Sequence, residues 1–388
     1  MDISPLPVRA VTRPPHHHFF GYYDKSPWDA GRGRLLGLET TCMDRGPTGR
    51  DPAVIGVIDV ARDYAWEPVA ETRAWCWQQG AMLRWLPGSG DREIIYNDFQ
   101  LGQFVAVIHN LETGHRRLLP RPVYALTPDG RGAVTVNFTR LHHFYLGYGY
   151  PGGPADGQLD QPAPADEGVW WLDLATGASR LVVSLAELAA YRPHPRMAGR
   201  PRYLNHLQFN TTGTRFILLD RWRADFGHLT RLYTASPEGP DLCLLADDDV
   251  VSHFDWCGAD KVLAWARTPE LGEHYLLFTD QTDAVEIVGG AVLTEDGHCS
   301  YSPDRQWILT DTYPDQEEKR TLLLYHVPTG RRRDLGRFLS PTPVSGDLRC
   351  DLHPRWSPDG RQVCLDSIHE GTRQMYVMDV GEVVSGEW

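Results

Sequence analysis

The sequence predicts an all-β fold, a seven-bladed β-propeller. Two observations carry this. A turn of one form recurs along the chain: a large apolar residue, then Ser, Thr or Asn, then a tight turn, then an apolar strand. It is seen in "LTPDGRGAVTV" from 126, "FNTTGTRFILL" from 209, "YSPDRQWILT" from 301 and "WSPDGRQVCL" from 356. Looser copies are "WLPGSGDREIIY" from 85 and "WCGADKVLAW" from 256. Pro and Asp-Gly supply the backbone angles of a hairpin turn. Most copies are followed by a second hairpin, as in "HNLETGHRRLL", "LDLATGASRLV", "YHVPTGRRRDL" and "IDVARDYAWEPV". Two hairpins make four strands, and four strands repeating every 40–50 residues or so are the mark of propeller blades.

The units begin near residues 16, 78, 122, 203, 250, 296 and 349, one propeller over 1–388. The first opens with "HHHFFGYYDKSPWD", read as an innermost strand. The polar stretch "GYGYPGGPADGQLDQPAPADEG" is an insertion in the third unit. "LAELAAYRPHPRMAGRP" is a linker with one helical turn. The last unit lacks an outermost strand, which "PLPVRAV" near the N-terminus is expected to supply. Hydrophobic residues are 41% of the 388, enough for an ample core. The formal charge of −13 argues against a sequence-independent nucleic-acid binder, which needs a basic face. Seven cysteines without a C-x-x-C pair argue against a disulfide framework. No apolar run is long enough to span a bilayer, and no signal-like segment is seen. The expectation is a cytoplasmic protein, a monomer or dimer.

The repeat aligns histidines. Three residues before the large residue of each turn, the last four units carry His206, His253, His298 and His353, four of sixteen histidines in one register. That register starts the innermost strand, so the four are expected to converge on one mouth of the channel. "CDLHPRW" adds Cys350 and Asp351 beside His353. His298, His353, Asp351 and Cys350 form a candidate ligand set for a divalent metal such as Mn²⁺ or Zn²⁺. Arg221 and Arg223 in "LLDRWRADFGH" are candidate carboxylate clamps. Arg140, His143 and Tyr148 in "NFTRLHHFYLGYGYPG", and Asn97 in "IIYNDFQ", are candidate saccharide contacts. In the opening stretch Tyr22 falls in the histidine register; Tyr22 or Tyr23 is a candidate acid, and His17 or His18 lies earlier, on the approach to the rim.

"HLQFNTTGTRFILLDRW", "GHCSYSPDRQWILTD" and "DLHPRWSPDGRQVCLDS" resemble the oligogalacturonate lyase family of seven-bladed propellers. "HHFFGYYDKSPWD" is similar to segments of propeller ulvan lyases. The resemblance implies a histidine base, here His253, with Arg221 or Arg223 at the substrate carboxylate. It implies a metal on His298 and on His353, with Asp351 and Leu348 standing where the family has histidine and glutamine. The implied activity is β-elimination on a uronate-containing oligo- or polysaccharide. The chemistry suits the residues: a cation neutralises the carboxylate, His removes the adjacent proton, and an acid protonates the leaving oxygen. His206 lies in the same register as His253 and is a candidate for the same machinery. The rival reading is a non-catalytic propeller that binds a glycan or protein through the histidine mouth.

Overall fold

The recurring turn closes the same way in three copies. The hydroxyls of Thr127, Ser302 and Ser357 donate to Asp129, Asp304 and Asp359 and accept the backbone N–H five residues on, from Gly132, Trp307 and Gln362. In the fourth unit Asn210 does the same work, its Oδ1 accepting from the N–H groups of Thr214 and Arg215. Gly130 and Gly360 sit at φ +70° and +68°, a left-handed turn position that disfavours other residues.

Each turn joins the innermost strand of a four-stranded antiparallel sheet to its neighbour. The computed structural model describes residues 5–155, 158–223, 227–341 and 346–386, and these form seven such sheets. The innermost strands are His17–Phe19, Arg84–Trp85, Ala125–Leu126, Arg202–Phe209, Val251–Trp256, Ser300–Tyr301 and Arg355–Trp356. They line the axis of the ring. The strands are apolar because both faces are covered by neighbouring blades, and the core clusters run between adjacent sheets.

The seventh sheet takes its outermost strand from the other end of the chain. Val8–Ala10 pairs antiparallel with Gln374–Asp379, Val8 opposite Met378 and Ala10 opposite Tyr376. This closes the ring by joining the two ends of the chain in one blade.

Two short helices decorate the third blade. Leu185–Ala190 lies in the expected linker, with Ser184 and Glu187 forming a capping box. Phe138–Phe144, capped by Asn137, was not foreseen. It stacks Phe138 on Tyr150 at 4.3 Å and carries the chain back over the channel to Tyr145 and Tyr148.

Candidate functional site

The histidine register brings its members together. His253 and His298 have ring centroids 4.1 Å apart, and His298 and His353 are 4.5 Å apart. Tyr22 enters from the first blade. It stacks on His206 at 4.6 Å and meets His353 at 4.8 Å. All five are buried. The backbone is bent to achieve this. The sheet register slips between Asn205 and Gln208, and between Val251 and Phe254, at the two positions that carry His206 and His253. His206 and His353 lie at φ +53° and +40°. Such left-handed geometry in a non-glycine residue costs on the order of 1–3 kcal/mol and is held only by its surroundings.

Each histidine has a different partner. His298 Nδ1 meets both carboxylate oxygens of Asp311, at 2.8 and 3.0 Å, and its backbone N–H donates to the same group. Its Nε2 has no hydrogen-bond partner among the described residues. His253 Nδ1 is 2.9 Å from Asp296, which holds the proton on that nitrogen and leaves Nε2 as the basic atom. The Gln79 side-chain amide donates to His206 Nδ1 at 3.1 Å. Tyr22 Oη is 3.4 Å from His206 Nε2. His353 has both ring nitrogens buried without a hydrogen bond to any described residue, and Asp351 is 3.8 Å from its Nε2.

Protonation follows from burial. Desolvation lowers the pKa of His206, His298 and His353, so these imidazoles are neutral. Burial by itself would raise Asp351, but Arg349 and Arg320 hold its carboxyl well below the usual range. The Tyr22 phenol is pushed well above its ordinary value, by burial first and Tyr148 second, so it keeps its proton.

Gly297 makes the His298–Asp311 contact geometrically possible. A Cβ there would lie 1.8 Å from the Asp311 carbonyl oxygen, a backbone atom that cannot turn aside. Gly297→Ala is expected to part the two strands and destabilise the protein by about 1–3 kcal/mol. A denaturant titration beside wild type measures this.

Arg221 borders the ring. It is buried, its Nε has no hydrogen-bond partner, and it forms no ion pair with any described residue. It sits among tyrosines instead, 5.4 Å from the Tyr145 ring centroid and opposite Tyr203 in the sheet. Tyr145 stacks on Tyr148 at 4.2 Å, and Tyr148 reaches His206 at 5.4 Å. The Tyr148 hydroxyl accepts from Arg349. His228 completes this cradle. Its Nδ1 is 2.6 Å from Tyr203 Oη, and burial, then Arg221 and Arg223, lowers its pKa to about 4.

These histidines make stability pH-dependent. With folded values below the unfolded 6.5, the unfolded chain binds more protons as pH falls. The stability they support is complete above about pH 6.5 and is lost toward pH 4. A thermal melting series should show this decline, and His228→Asn should flatten it.

Other expected contacts are placed elsewhere. His18 has both ring nitrogens occupied, by Gln374 at 3.0 Å and Glu39 at 3.1 Å, and packs on Trp66 away from the ring. Asn97 staples two blades through Val123 and Tyr150. Arg140 donates to the carbonyls of Arg202, Gln158 and Gln161, tying down the insertion. His143 is exposed against Phe144. Arg223 is exposed at its strand end, so of the two arginines Arg221 alone lies in the cradle. Burial raises the Cys350 thiol to about 11, which makes it a poor thiolate ligand.

Sequence reasoning missed Asp296, Asp311, Gln79, Arg349 and Tyr145. A signal existed for Asp311. "FILLD", "WILTD" and "VCLD" each end a second strand in an aspartate, and Asp220, Asp311 and Asp366 bind Arg202, His298 and Arg355 of their own blades.

His298, Asp351 and His353 offer ligand atoms within 4.8 Å of one another. Two neutral imidazoles with unpartnered nitrogens and an ionised carboxylate are the donor set a divalent cation requires. The residues present therefore fit a metal.

Neither a protein-family profile nor a curated protein sequence matches the chain. Solved structures do. An oligogalacturonate lyase in complex with manganese superposes with a TM-score of 0.66 at 14% identity, over 99% of this chain and 96% of that one. The oligogalacturonate lyase of Vibrio parahaemolyticus gives 0.68 at 12% identity, over 97% and 94%. A prolyl endopeptidase gives 0.51 at 12% identity, over 92% of this chain and 50% of that one. At such identities the likeness is one of architecture: the chain is a seven-bladed β-propeller with the fold of the oligogalacturonate lyases.

Proposed function

We propose that the protein is a lyase that cleaves a uronate-containing oligosaccharide by β-elimination at the histidine mouth. The observation that carries this reading is Arg221, a buried guanidinium without a carboxylate partner among the described residues, in the tyrosine cradle beside His206. An unpaired buried cation is costly unless a ligand supplies the counter-charge. A uronate carboxylate fits the fork of an arginine, and the stacked pair Tyr145 and Tyr148 offers faces for a sugar ring.

With the carboxylate neutralised by Arg221, the proton on the adjacent carbon becomes acidic enough for a neutral imidazole. His253 takes it through Nε2, and Asp296 stabilises the imidazolium that forms. Tyr22, still protonated, donates to the departing glycosidic oxygen. Tyr23 cannot share that role, because its hydroxyl is engaged by the backbone of Phe254. A divalent cation held by His298, His353 and Asp351 would add Lewis-acid stabilisation of the carboxylate charge.

One feature favours the rival binding reading. Asp351 is already ion-paired with both Arg349 at 2.6 Å and Arg320 at 2.5 Å. The two readings separate in one assay. Acidic oligosaccharides of different uronate content are incubated with the protein and Mn²⁺ or Zn²⁺, and unsaturated product is followed by its ultraviolet absorbance. Turnover of one class is expected, with metal bound to wild type and lost in His298→Ala. Saturable binding without unsaturated product from any acidic glycan would establish the binding reading instead.

A further inference from the structure

A second ring of residues lies two positions beyond the histidine register, which on the innermost strands is about 7 Å further along the channel. Asp24 follows Tyr22, Gln208 follows His206 and Asp255 follows His253, with Arg84 contributed by the second blade. These four, with Lys25 and Arg305, line a cavity of about 330 Å³ at the opposite mouth. That volume is within the range of small-molecule sites.

Its charges do not balance. The buried Lys25 ammonium is held by Asp24, at 2.7 and 2.8 Å to its two oxygens. Asp255 accepts from Gln208 and from the Tyr301 N–H, at 2.7 Å each, and has Arg305 at 3.9 Å. Arg84 has neither a hydrogen bond nor an ion pair to any described residue, and the carboxylate that acts on it, Asp24, is already held by Lys25. Three cations thus face two carboxylates, in a protein whose formal charge is −13. A half-buried guanidinium that spends none of its five donors on a described residue, lining one cavity with a buried ammonium and a second guanidinium, is short of an anion. Burial lowers the pKa of both Arg84 and Lys25, and Asp24, the one carboxylate opposing it, acts on both.

We propose that this cavity is a second ligand site, separate from the histidine mouth, which binds a small oxyanion, a phosphate or a sugar carboxylate, through Arg84 with Lys25 and Arg305 beside it. Arg84 supplies the bidentate contact and the other two cations the field. The inference does not depend on the lyase reading, since it uses none of the residues of that mouth.

The test is calorimetric titration at low ionic strength, with inorganic phosphate in one arm and monomeric galacturonate in the other. Both arms use Arg221→Met protein, so that the histidine mouth contributes no anion contact. One saturable site is expected in at least one arm, and the arm that saturates tells phosphate from carboxylate. Adding Arg84→Gln should weaken it at least about 10-fold. Arg305→Gln, at the half-exposed rim, should weaken it several-fold and covers the case in which the Arg84 variant does not fold. Undiminished affinity in a folded Arg84 variant, or no saturation in either arm, overturns the proposal.

Discussion

Arg221→Met is expected to lower kcat/KM on the acidic oligosaccharide by about 10²–10³-fold while leaving the melting temperature unchanged or raised. The two readouts belong together. Arg221 is buried and forms no ion pair with any described residue, so its folded-state charge is uncompensated until a ligand arrives. Methionine fills much of the same volume without that charge. A structural arginine behaves in the opposite way. Arg202, locked onto Asp220, and Arg355, locked onto Asp366, would each leave a buried carboxylate behind and destabilise the fold. Arg221→Lys keeps the charge but loses the planar fork, and should recover only part of the activity. If Arg221→Met loses stability along with activity, the guanidinium supports the fold and the carboxylate clamp lies elsewhere.

His253→Ala is expected to reduce kcat by about 10²–10⁴-fold, with substrate affinity and metal content retained. Asp296→Asn should produce a smaller loss, because the imidazole remains while the group that fixes its tautomer and stabilises its charged form is gone. Stopped or steady-state product formation measures the first, and calorimetric binding of the uncleaved oligosaccharide confirms the second half of the statement. His206→Ala serves as the comparison. His206 Nδ1 takes a hydrogen bond from Gln79 and its Nε2 faces Tyr22 without a carboxylate behind it. If His253→Ala retains most of its turnover while His206→Ala does not, the base is His206 and the Tyr22–His206 pair is the proton pathway.

Much of the site was legible because the repeat converts sequence register into position in space. Residues at equivalent offsets in successive blades point at one axis, so His206, His253, His298, His353 and Tyr22 could be grouped before any coordinates. The readings that failed lay outside that register. His18 precedes the aligned position, and its surroundings are set by Glu39 and Gln374, the latter 356 residues away. Asn97 and Arg140 are polar residues near an aromatic-rich loop, which in sequence look like substrate contacts. In the structure their donors are consumed: Asn97 donates to the Val123 carbonyl and the Tyr150 hydroxyl, and Arg140 to carbonyls of Arg202 and of the insertion. Asp24 shared the opening stretch with Tyr22, yet it lines the opposite cavity, because the chain turns after Tyr22 and carries Asp24 to the next layer.

By itself the sequence determined the architecture: the hydroxyl-closed turns, the four-strand period, the missing last strand and the convergence of four histidines. These are local or periodic properties, dictated by turn chemistry and by the alternation of side chains along a strand. Only the tertiary structure decided which polar groups are spent and which are free. Arg221 and Arg223 are two residues apart on one strand and chemically identical in sequence. One is enclosed by Tyr145, Tyr148 and Tyr203 without a counter-ion, and the other is exposed. Hydrogen-bond saturation and desolvation depend on what other blades bring within a few ångströms. No local pattern of residues encodes that, and the chemistry of the site depends on it.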